Sequence, residues 1–76
     1  MKDIAKTRLA FYAALSELED YALDRIDTYA IQVSDEQDML AEFPNDPLHK
    51  IALEEANRKL SAWNTIYAKL EKIGSQ

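Results

Sequence analysis

LEEANRKLSAWNTIYAKL, residues 53–70, decides the fold. Leu53, Ala56, Leu60, Trp63, Tyr67 and Leu70 recur at alternating steps of three and four, the seam of a helix built to pack lengthwise against another helix. The pairs Glu54/Arg58 and Glu55/Lys59 stand four apart with the acid first. Each adds ~0.2–0.5 kcal/mol of local helix support and marks the side that faces water. Such a helix needs a partner, and the rest of the chain is read as supplying it.

Upstream, Ile4, Phe11, Leu15, Leu18, Ala22, Ile26, Tyr29 and Val33 recur at the helical period, with Glu17, Asp20, Asp24 and Asp27 on the opposite face. Arg25 lies between Tyr21 and Tyr29, placed to lay its stem over their rings. Leu40 and Phe43 continue the stripe, so one long helix over about 3–42 is expected. Ser34-Asp35-Glu36-Gln37 has the spacing of a capping box, and β-branched Ile31 and Val33 weaken helix propensity just before it. A bend or break at Ser34 is therefore the alternative, and a break would allow a three-helix monomer.

Phe43-Pro44-Asn45-Asp46-Pro47 is the boundary. Pro44 disfavours helical geometry at Phe43, Asp46 suits an N-cap, and Pro47 suits the first position of a helix. The second helix is expected over about 47–73, with Lys69 and Lys72 near its negative end, Gly74 as C-cap, and Ser75 and Gln76 frayed. The fold class is all-α: an antiparallel helical hairpin forming a single domain, 1–76. Around a turn at Asn45, Val33 faces Ala56, Tyr29 faces Leu60, Ile26 faces Trp63, Leu18 faces Leu70 and Leu15 faces Ile73.

Composition agrees. One Gly, two Pro and no Cys leave little turn chemistry for an all-β fold and exclude disulfides and thiolate metal sites. A chain of 76 residues buries only about 60% of its unfolded surface, so a partner is the usual remedy. The first dozen residues have no counterpart in the second helix, and that helix is apolar over more than half its circumference. Ile4, Leu9, Phe11, Tyr12, Leu48, Ile51, Ala52 and Ile66 are the expected partner interface, with a homodimeric four-helix bundle as the simplest way to cover them. Another protein is the alternative partner.

A net charge of −5 disfavours phosphate tracking, and Lys2, Lys6 and Arg8 are too few and too spread to change that, so nucleic acid is not expected as a partner. No apolar run of about 18 residues and no signal-peptide core occur, so neither membrane insertion nor export is expected and the location reads as cytoplasmic.

The carboxylates Glu17, Asp20, Asp24 and Asp27 are the strongest chemical signal. Their Glu-x-x-Asp and Asp-x-x-Asp spacing resembles the acidic pairs of all-α pyrophosphohydrolases of the MazG kind, which implies a divalent metal and nucleotide hydrolysis. They point away from the apolar stripe, however, and a solvated face is preferred, since hard cations need several converging oxygens. A second alternative is an acidic decoy that occupies the basic groove of a nucleic-acid-binding protein. His49 is the sole imidazole and reads as a solvated or capping residue. No nucleophile–base pair is visible, so no enzyme activity, cofactor or metal is expected. A dimer of helical hairpins resembles the plasmid copy-number regulators in architecture, and the Pro44–Pro47 turn is similar to that of type III secretion needle subunits. The expected function is a non-enzymatic adaptor, regulator or inhibitor, of a size and acidity that suit a phage or mobile-element accessory protein.

Overall fold

A computed structural model describes residues 2–75, and side chains from Ile4 onward. Met1, Gln76 and the side chains of Lys2 and Asp3 lie outside the described residues, and with them part of the basic-end reading and the expected fraying of Gln76. Among the described residues there are two helices and no strands: α1, Lys2–Glu42, and α2, Pro47–Gly74. α1 runs through Ser34 without interruption. The capping-box spacing there does not act as a helix start, because no Gly or Pro ends the preceding turns and Val33 and Leu40 on either side are held against α2.

The turn forms as its residue types dictate. The Asp46 N–H donates to the Phe43 carbonyl at 3.1 Å, closing a four-residue turn with Pro44 at its second position. Asp46 then caps α2: its backbone is extended, its Oδ1 accepts from the Leu48 N–H at 2.9 Å, and Pro47 opens the helix. The two helices lie side by side in a rod of 63 × 15 × 14 Å.

The interface between them is a paired heptad seam. In α1 the least exposed positions are Leu15, Glu19, Ala22, Ile26, Tyr29, Val33, Glu36 and Leu40, stepping by four and three, with Arg25 and Thr28 beside them. In α2 and its N-cap they are Asp46, His49, Leu53, Ala56, Leu60, Trp63, Tyr67 and Leu70, stepping by three and four, with Ala52 alongside. The α2 seam is the one its sequence announces. The α1 seam differs from the apolar stripe: Leu18 is 53% exposed and Glu19 holds the position beside it. The reason is rotational. Positions seven apart share one line along a helix packed at 3.5 residues per turn, and Ile4, Phe11 and Leu18 fall on a different line from Leu15, Ala22 and Tyr29.

Leu15, Ala22 and Ala56 are the only buried residues among those described.

 Two of the three are alanines, whose small side chains let the helix backbones come together. Gly74 plays a related part at the open end. It is not a left-handed C-cap, since no described glycine has positive φ, and the cap is Ser75 in right-handed geometry. A Cβ on Gly74 would stand 3.3 Å from Leu15 Cδ2 and from Glu19 Oε1, so the glycine serves a close crossing. Ser75 is correspondingly held: its N–H donates to the Glu71 carbonyl and its hydroxyl to that of Lys72, each at 3.0 Å.

Candidate interaction surface

The hairpin leaves most of its large apolar side chains outside. Leu9 is 71% exposed, Ile31 62%, Leu48 75% and Ile51 60%, and the anticipated interface residues fall on several sides of the rod. Ile4 and Phe11 lie on one flank of the α1 seam, while Leu9 lies on the other, in line with Leu23. Tyr12 continues the seam line past the end of α2, its ring edge-on to Phe11 at 5.6 Å. Leu48 stands beside the turn, Ile51 on the rear of α2, and Ala52 half-buried at the rim of the seam. Ile66 lies on the α2 flank nearest Leu18.

Polar groups enter the seam at its turn end, where His49, expected as a solvated or capping residue, is partly buried beside the N-cap Asp46. His49 Nδ1 lies 2.6 Å from Glu36 Oε2, with both side chains about a quarter exposed, and its Nε2 lies 3.7 Å from Asp46 Oδ2. An ionised carboxylate only accepts, so Nδ1 carries the proton and donates to Glu36. At 3.7 Å the Nε2 contact is too long for a hydrogen bond. Asp46 thus caps α2 and faces His49, which in turn ties α2 to α1. The sequence did contain the signal: stepping back from Leu53 by four and then three reaches His49 and Asp46, and stepping on from Val33 by three reaches Glu36.

This cluster gives a sharp expectation. His49→Ala lowers hairpin stability by about 1–2 kcal/mol, because Glu36 loses its donor while staying partly desolvated. Glu36→Leu with His49→Leu restores or exceeds wild-type stability, because an apolar seam pair has no desolvation penalty. Thermal melts followed by circular dichroism at one protein concentration check both. An unchanged melting temperature in His49→Ala would show that the cluster does not hold the turn.

Aromatic and cationic side chains bridge the helices further along. The Tyr21 and Trp63 rings meet edge to face at 5.5 Å. The Arg25 guanidinium stands 5.7 Å from the centre of the Tyr21 ring and pairs with Asp24 at 2.8 Å, so the charged head lies by the ring where the stem was expected. Its Nε is buried without a partner. The Lys59 ammonium lies 5.6 Å from the Tyr29 ring centre and 3.9 Å from Glu55. Hydrogen bonding to Glu71 raises the Tyr67 phenol above its ordinary pKa, with desolvation adding to the shift.

The acidic row is exposed throughout, at Glu17, Asp20, Asp24 and Asp27. Among the described residues no group of three or more His, Asp or Glu side chains converges as a metal site would require, and no helix is long and apolar enough to cross a membrane. Compared with protein-family models, curated proteins and solved structures, the chain matches none.

Proposed function

We propose that this protein is a small interaction module that works by helix–helix packing, as an adaptor, regulator or inhibitor, and that two hairpins pair into a four-helix bundle. One observation supports the reading. Among the described residues only Leu15, Ala22 and Ala56 are buried, and no large side chain is fully enclosed, whereas fourteen large apolar side chains between Ile4 and Ile73 are a third or more exposed. Burying one such side chain is worth ~1.5–3 kcal/mol. A second helical surface is the source of burial that suits two long amphipathic rods, and pairing of like subunits about a two-fold axis is the commonest way to supply it.

Light scattering over a dilution series tests the proposal. A dimer that persists into the low micromolar range, with a melting temperature that rises with protein concentration, is the expected result. A monomer at tens of micromolar that still melts cooperatively would overturn it, since the hairpin would then be stable with its apolar side chains in water.

A further inference from the structure

The part of the α1 stripe that the hairpin seam does not use forms a heptad line of its own. Ile4, Phe11 and Leu18 are seven apart, and Thr7, Ala14 and Tyr21 each follow three residues later. Positions 4, 7, 11, 14, 18 and 21 therefore alternate by three and four, the spacing of a knobs-into-holes seam. At about 100° per residue this line lies roughly a quarter turn from the one facing α2. Its large members are exposed by half or more: Ile4 62%, Phe11 50%, Leu18 53% and Tyr21 55%.

α2 adds a second rail on the same side. Ile66 and Ile73 are seven apart and more than two-fifths exposed, and Ala52 and Lys59 continue their line toward the turn. A groove lined by Gln32, Ala52 and Lys59 among others joins this line to the continuation of Leu18 along α1, for Gln32 lies fourteen residues beyond Leu18. The Tyr21–Trp63 contact joins the two helices on the same side. Toward the turn, Arg25 and Lys59 replace the apolar residues on both lines, which confines the apolar face to the open end.

We propose that a second copy of this chain seats on this face, α1 stripe against α1 stripe, with Ile66 and Ile73 flanking the contact. The inference rests on the self-association proposed above and locates it. Two arguments favour a second copy as the occupant. The stripe has the spacing that packs against itself about a two-fold axis, as an isologous interface requires. The chain also exposes 6014 Å², whereas a compact monomer of its 8.7 kDa exposes about 4,700 Å². The excess of about 1,300 Å² exceeds the ~800 Å² per partner that a standard stable interface covers.

Sedimentation equilibrium on Phe11→Ala, Leu18→Ala and Ile31→Ala separates this stripe from the rear of α1, where Ile31 lies. Alanine favours helix, so α1 is retained. Each stripe substitution, present twice in a dimer, raises the dissociation constant about tenfold or more, while Ile31→Ala changes it less than about twofold. A second measurement needs no weakened variant. The chain has no cysteine of its own, so Ala14→Cys treated with a short bis-maleimide gives a covalent dimer, and Ile31→Cys gives none. A wild-type monomer would remove the self-association proposal and this inference together. A wild-type dimer that Phe11→Ala and Leu18→Ala leave as tight as Ile31→Ala does, or that Ile31→Cys links as readily as Ala14→Cys, would overturn this inference alone.

Discussion

Ala22→Asp unfolds the hairpin. Ala22 is fully buried, at 0% exposure, on the α1 seam, and Arg25, the cation three residues on, already pairs with Asp24 at 2.8 Å, so a carboxylate at 22 is left largely uncompensated. An uncompensated buried charge costs about 3–5 kcal/mol, and forcing a larger side chain into a close helix crossing adds about 1–3 kcal/mol. A domain of this size is stable by only about 4–11 kcal/mol in all, so the substitution takes most or all of it. Far-ultraviolet circular dichroism should show loss of helix at room temperature. The control is Ala30→Asp, on an exposed position of the same helix, where the loss stays below about 1 kcal/mol. Equal melting temperatures for the two variants would mean that α1 and α2 do not pack through Ala22.

Trp63→Ala is the second large effect. Trp63 is the largest residue of the α2 seam, and its ring meets Tyr21 from the opposite helix at 5.5 Å. Truncating a core tryptophan costs about 3–5 kcal/mol. Trp63 is partly exposed, so a loss of about 2–4 kcal/mol is expected, or on the order of 10–20 °C in melting temperature for a domain of this length. Trp63→Phe keeps an aromatic partner for Tyr21 and should recover about half of that. Chemical denaturation gives the same ranking if packing is the cause. A Trp63→Ala protein that melts within about 3 °C of wild type would place this side chain outside the stabilising seam.

Legibility followed the density of unambiguous residues. The turn could be read because each residue from Phe43 to Pro47 restricts the backbone in its own way, and the structure uses Pro44, Asp46 and Pro47 in the roles their chemistry allows. The α2 seam could be read because its line from Leu53 to Leu70 is apolar at every step. α1 was harder, because it carries two neighbouring apolar lines a quarter turn apart, and periodicity alone merges them into one broad stripe. A reader weighing hydrophobicity chooses Leu18 for the seam and passes over Glu19 and Glu36. Register against α2 selects the other line, because Ala22 permits a close approach and His49 offers Glu36 a partner. The same bias hid the bond from His49 to Glu36 across the seam, since periodicity alone reads an imidazole in the first turn as a solvated or capping residue.

By itself the sequence determined that this chain is helical, where the corner at Phe43–Pro47 falls and which side of the second helix faces its neighbour, while a break at Ser34 stayed open until the structure showed α1 continuous. Those properties come from local backbone restriction at the corner and from the uninterrupted apolar periodicity of Leu53 to Leu70. Only the tertiary structure decided which of the two apolar lines on the first helix is covered, that two glutamates and a histidine enter the seam, and that Gly74 stands close to Leu15 and Glu19 where a left-handed cap was expected. These are properties of the pairing. The rotation of one rod against another is set by the fit of side chains from both, and neither helix carries that information alone.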